Sequence, residues 1–233
     1  MLAYRLISHD SLLISRSFCP SCKKTIAWYD LIPLFSWLFL KGKCRSCSLP
    51  ISWLYFFIEL LTTMSLSALV VLIQPHYWFA YFIFFSALII TIRTDLEHML
   101  ICRYMTLCLI PCGLFLSYMN LLPITPLQSS VGALSAYFFL YSISALFFRF
   151  TKKVGLGQGD VELIAFIGAF LGITGWWITI LLGSFFGSLI GIFYMIILKQ
   201  YNSIKIPFGP FLALGAMLYV LFPEQLLSLL QLT

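Results

Sequence analysis

Apolar residues in this chain come in long runs, and polar residues gather between them. Seven runs are legible, at about 51–73, 77–93, 99–120, 128–149, 161–175, 176–198 and 208–230. Most of them approach the roughly 20 residues that carry a helix across a bilayer. Lipid offers no water to satisfy backbone groups, so a spanning segment is a helix or a strand of a closed barrel. The in–out alternation of barrel strands is missing here. The pattern therefore predicts an all-α polytopic membrane protein, a bundle of about seven transmembrane helices. The fifth run is short and bears glycines, which predicts a tilted or re-entrant segment. Small residues recur every four positions at Gly168 and Gly172, and again at Gly183, Gly187 and Gly191. That spacing predicts seams where helices approach closely.

The stretch 1–49 is the one long polar region. It divides the chain into a small N-terminal region, 1–49, and a transmembrane domain, 50–233. Composition agrees: 61% of the residues are hydrophobic and only 9% charged, against about 45–50% apolar in a soluble domain. No cleavable signal peptide is expected, because the start is polar and basic rather than an apolar core.

The net charge of +6 raises the question of nucleic acid. Its distribution answers it, because the basic residues sit between the spans. Arg5, Arg16, Lys23, Lys24, Lys41, Lys43 and Arg45 lie in the N-terminal region. Then come Arg93 and Arg103, then Arg149, Lys152 and Lys153, then Lys199 and Lys205. The turns at 74–76, 120–126 and 172–175 have none. This alternation puts residues 1–49 in the cytoplasm and the C-terminus outside. The expected surroundings are membrane lipid, and nucleic acid is excluded as a partner.

The N-terminal region carries Cys19-Pro20-Ser21-Cys22 and Cys44-Arg45-Ser46-Cys47. Two such knuckles can present four thiolates tetrahedrally to zinc. Their spacer is slightly longer than the usual range for this pattern. Cytoplasmic thiols stay reduced, which favours a metal over disulfides. A region of this size has a small core, so the metal is expected to be structural zinc. Cys102, Cys108 and Cys112 lie in an apolar run and read as small hydrophobes.

Two acids remain at the edges of spans. Asp160 ends Gly157-Gln158-Gly159-Asp160, and Asp95 lies in Arg93-Thr94-Asp95-Leu96-Glu97-His98. The charge pattern puts both at one face. Two neighbouring carboxyls share one proton, which leaves one base to activate water and one acid to polarise a carbonyl. Gly157 and Gly159 would let backbone pass without a Cβ clash. Taken singly, Asp160 also reads as the N-cap of a helix beginning at Val161, and Asp95 as a solvated loop acid. Glu97 reads as an attractor for a basic substrate or as a solvated acid. Glu59, inside an apolar run, reads as functional or as pairing with a lysine.

These motifs together resemble the type IV prepilin peptidases, membrane aspartyl proteases of the GxGD class. The resemblance covers the cysteine knuckles, the stretch 30–38, Asp95 to Ile101, Gly157 to Leu163, and Pro207-Phe208-Gly209-Pro210-Phe211-Leu212-Ala213. It implies an enzyme of the bacterial inner membrane that cuts the basic leader from type IV prepilins and type II secretion pseudopilins on the cytoplasmic side. It implies Asp95 and Asp160 as catalytic, with Glu59 in the place of an acid that follows the cysteine loop. It also implies N-methylation of the new N-terminus with S-adenosylmethionine. The chain departs from the family pattern in four places. An initial membrane helix, ending near Tyr4, is expected upstream. Cys102-Arg103 stands where the family often has Pro-Asp. Glu162 stands where a basic residue is usual, and Leu54-Tyr55-Phe56 follows where Arg-Tyr-Pro is usual. These departures leave two alternatives open: a catalytically degenerate member acting as an assembly partner, and a membrane transporter.

Overall fold

The computed structural model describes residues 17–19, 21–152, 155–198 and 207–229. Arg5, Arg16, Lys153, Lys199 and Lys205, which carry part of the charge pattern, lie outside the described residues. The chain forms two compact units, Met1–Ser67 and Ala68–Thr233.

In the first unit the two cysteine knuckles are copies of one turn. Cys19 N–H donates to the Lys24 carbonyl and Lys23 N–H to the Cys19 carbonyl, both at 2.9 Å. Cys44 N–H to Leu49 and Ser48 N–H to Cys44 repeat those bonds at the same lengths. One layer out, Ile26 N–H to Ser17 corresponds to Ile51 N–H to Gly42. The residue after each second cysteine turns left-handed, Lys23 at φ 59 and Ser48 at φ 57. Isolated antiparallel bridges, Phe18 with Thr25 and Lys43 with Pro50, close the two copies.

Between the knuckles lie a 3-10 turn, Trp28–Leu31, and a short helix α1, Phe35–Phe39. Helix α2, Trp53–Leu72, begins just after them. Trp37 packs on Trp53 and Phe56, with ring centroids 4.3 and 4.9 Å away. Arg45 makes a two-pronged ion pair with Asp30 at 2.7 and 2.8 Å. Cys19 is the only buried hydrophobic side chain among the described residues of this unit.

The second unit is built of helices joined by short connections among its described residues. Its helices are α3 Trp78–His98, α4 Arg103–Tyr118, α5 Pro126–Thr151, α6 Gln158–Leu198, α7 Gly209–Leu221 and α8 Pro223–Leu229. Helix α3 is the most buried of those long enough to span a membrane. Phe84 stacks on Phe170 at 4.9 Å and meets Phe166 at 5.2 Å. Leu88, Ile92, Leu163, Ile164, Ile167 and Leu212 complete the core. The outer faces carry exposed Phe138, Leu146, Phe185, Leu189 and Phe193, as a lipid-facing surface requires.

Helices α5 and α6 touch backbone to backbone. A Cβ on Gly132 would strike the Gly168 carbonyl, and one on Gly168 would strike the Gly132 carbonyl. Ser129 Oγ donates to the Ala169 carbonyl across the same seam. Helix α5 begins with a capping box, where Thr125 and Gln128 exchange side-chain and backbone bonds at 2.9 and 3.2 Å.

All seven expected runs are helical. Runs five and six are one 41-residue helix bent at Gly172, whose φ of 69 and ψ of −167 only glycine adopts readily. The bend therefore lies before the expected junction at 175 and 176. Run seven is broken into α7 and α8, which meet at 103°. Among the described residues, four helices are long and apolar enough to cross a membrane, or five if that bent pair is one span. Helix α4, with 16 residues, falls short of the span length. The protein is an all-α, multi-pass membrane protein.

Candidate active site

Asp95 sits in the last turn of α3. The helix stops three residues beyond it because Met99 turns left-handed, φ 53, and gives its N–H to the Asp95 carbonyl. The side chain is buried, and Asp95 Oδ2 accepts the Gly209 N–H at 3.1 Å. Gly209 is the first residue of α7. A Cβ there would lie 2.6 Å from Asp95 Oδ2, so only glycine allows this approach.

Asp160 is the third residue of α6, because that helix begins at Gln158 rather than Val161. It is therefore not the N-cap. Its carboxylate instead reaches back to the Gly157 N–H, as the acid of a capping box does. Each aspartate thus rests against the start of a helix. Gly159, next to Asp160, and Gly209, which holds Asp95, both face the side chain of Ile101.

Ile101 lies between them in the connection 99–102. A Cβ on Gly159 would meet Ile101 Cβ at 2.9 Å, and one on Gly209 would meet Ile101 Cδ1 at 3.3 Å. Gly159 thus faces an isoleucine side chain. Gly157 is exposed, and a Cβ there would meet only Asp160 Oδ2 within contact range, at 3.2 Å.

Glu97, Glu59 and Glu162 each have a partner. Glu97 is helical and holds Arg93 with bonds of 2.7 and 3.0 Å, and His98 lies 3.9 Å away. It is neither a loop residue nor a free charge. Glu59, in the first unit, accepts the Leu34 N–H at 2.9 Å. Leu34 has a φ of 64, so this carboxylate fixes a strained residue at the start of α1 rather than pairing with a lysine. Glu162 is buried and meets Arg103 Nε at 2.9 Å. Two of the departures from the family pattern are thus the two ends of one ion pair.

The four knuckle cysteines come together. Their sulfurs lie within 4.8 Å of one another, and Cys19 Sγ and Cys47 Sγ are 4.0 Å apart. Metal–sulfur bonds of about 2.3 Å give tetrahedron edges of about 3.8 Å, so the set fits a four-coordinate ion. The backbone N–H groups of Cys22 and Ser21 pull the Cys19 thiol down to about 6, which readies a thiolate ligand.

Comparison with known proteins decides the family. The family model described as Type IV leader peptidase family matches residues 82–196. The model described as Bacterial Peptidase A24 N-terminal domain matches residues 1–73. The chain belongs to the type IV leader peptidase family. It is 33% identical over 217 residues to a protein of Aeromonas hydrophila, covering 93% of this chain and 74% of that one. It is 36% identical over 223 residues to one of Dichelobacter nodosus, with coverage of 93% and 74%. It is 32% identical over 233 residues to one of Bacillus subtilis strain 168, with coverage of 96% and 88%. Each is named "Prepilin leader peptidase/N-methyltransferase". No solved structure matches.

Family membership makes the chain a membrane peptidase. Reading single residues did not find Gly209 or Ile101 as neighbours of the acids. The signal for Gly209 was present, as the glycine inside Pro207-Phe208-Gly209-Pro210. Ile101 closes the stretch Asp95 to Ile101 that carries the resemblance, but nothing in the sequence marks it as a neighbour of both acids.

Proposed function

We propose that the chain cleaves the leader of prepilins and pseudopilins, using Asp95 and Asp160 as a shared acid–base pair. The observation that carries this reading is their convergence. Residues far apart in sequence, each at a helix end, come to one loop residue: Ile101 meets both Gly159, next to Asp160, and Gly209, which holds Asp95, in a bundle with few charges. The ionised carboxylate takes a proton from a water that attacks the scissile carbonyl. The protonated partner donates to the carbonyl oxygen, giving a gem-diol; it then takes a hydroxyl proton back while the first carboxyl passes water's proton to the leaving amine, so the pair again holds one proton. The Gly209 N–H orients the Asp95 carboxylate and the Gly157 N–H that of Asp160. Exposed Gly157 leaves room for an extended substrate segment beside Asp160.

Residues 1–49 form a zinc-binding region and 50–233 the peptidase domain. Cys19, Cys22, Cys44 and Cys47 hold a structural zinc, which organises the first unit and takes no part in hydrolysis. The charge pattern puts that region and both aspartates in the cytoplasm and the C-terminus outside. The relatives' names include an N-methyltransferase. The corresponding second step here is methylation of the new N-terminus with S-adenosylmethionine.

Intact-mass spectrometry of a candidate prepilin co-expressed with the chain tests the reading. Loss of the leader mass is expected, with added methyl on the mature form. A prepilin of unchanged mass, with the chain present in the membrane, overturns it.

A further inference from the structure

We infer that the Arg103–Glu162 ion pair is a positioning device that sets the two aspartates relative to one another, an inference that rests on the proteolytic reading above. Glu162 is 3% exposed, and only its Oε1 is paired, with Arg103 Nε at 2.9 Å. Its Oε2 is buried with no hydrogen-bond partner among the described residues. An apolar residue would fill this place at lower cost, because a buried carboxylate must recover its desolvation. The carboxylate is therefore held for what it restrains.

What it restrains follows from the chain path. Arg103 opens α4, and the connection 99–102 joins it to the end of α3, which carries Asp95. Ile101, inside that connection, touches the sites of both Gly159 and Gly209. Glu162 lies two residues after Asp160, in the first turns of α6. Residues two apart on a helix point to different faces, so Glu162 acts on Asp160 through the backbone. The pair closes a ring that runs from Asp95 through Ile101, Arg103 and Glu162 to Asp160. Without it, Ile101 is free to shift and the spacing of the acids changes. Positioning errors of about 1 Å cost on the order of 100-fold in rate.

The sign of the pair is interchangeable on this account, because only the bond matters. The test is steady-state processing of a prepilin by purified full-length protein carrying Arg103→Asp, Glu162→Lys, or both. Each single reversal is expected to lower kcat about 10-fold or more, with KM for the prepilin nearly unchanged, as a change in the spacing of the acids rather than in substrate binding requires. The double reversal is expected to recover to within about 3-fold of the parent chain. Should the single reversals fail to fold, Glu162→Gln and Arg103→Lys keep the shape and are expected to lower kcat about 3-fold. Single reversals or conservative variants that process at the parent rate overturn the inference and leave the proteolytic reading standing. So does a folded double reversal no better than the single ones. A parent chain that processes no prepilin overturns the proteolytic reading, and the inference with it.

Discussion

Among the described residues of the first unit, Cys19 is the one buried hydrophobic side chain, whereas the second unit buries Phe84, Phe85, Phe166 and Phe170 against one another. The first unit replaces a core with four sulfurs gathered within 4.8 Å. Its two knuckles repeat the same hydrogen bonds, so each presents two sulfurs in the same way. The second unit has no such centre among its described residues and relies on ring packing, a glycine seam and interhelical hydroxyl bonds at Ser129, Ser135 and Thr174. The difference teaches where each unit fails. A unit ordered by a ligand fails when the ligand leaves, and a unit ordered by packing fails when volume changes.

Four perturbations separate the two, from largest to smallest. Stripping zinc, or replacing Cys44 by Ser, removes a binding free energy of about 10–16 kcal/mol from the first unit. Limited proteolysis should then cut within 17–52 while 78–198 stays protected. Lowering the pH should release the metal in the same way, because protons compete for the four thiolates. Equal protection of both units after chelation would show that the sulfurs do not order the first one. Next, Gly168→Leu forces α5 and α6 apart. Overpacking costs about 1–3 kcal/mol, or more where backbone is struck, so loss of folded protein by size exclusion is expected. Zinc content per folded chain should not change.

Phe84→Ala comes third. In water such a change costs about 3–5 kcal/mol. Lipid tails supply the apolar transfer term to the unfolded reference as well, so about 2 kcal/mol is expected in detergent unfolding. The smallest effect is Thr125→Ala, which removes half of the capping box that starts α5. It should lower stability by about 1 kcal/mol and leave processing rates unchanged. A change in rate with Thr125→Ala would mean that the start of α5 is coupled to the acids.

The run pattern gave the helices because lipid imposes one rule on every span. It marked the turn at 172–175 but not which residue bends, because Gly172 and Gly175 look alike in sequence and only a positive φ separates them. Cysteine spacing gave the metal-type cluster directly, since four thiols in two short loops have few other uses. The acid pair was legible from charge scarcity, but its supports were not. Gly209 reaches Asp95 from the far end of the chain. Glu97 reads in sequence as an attractor or a solvated acid and Glu59 as functional or paired with a lysine, because their partners, Arg93 and the Leu34 N–H, follow from helix register and from a strained loop. Glu162 and Arg103 each looked like an isolated departure, because neither shows its partner until the fold brings them together.

The central claim is that Asp95 and Asp160 act together on one water. Single-turnover processing of a purified prepilin, read by mass spectrometry, tests it most directly with Asp95→Asn and Asp160→Asn in folded, zinc-loaded protein. The account predicts that each variant alone loses processing by about 10⁴-fold or more, and that the double variant is no worse than either, because the two groups act as a unit. Leader cleavage at the parent rate by either variant would contradict it.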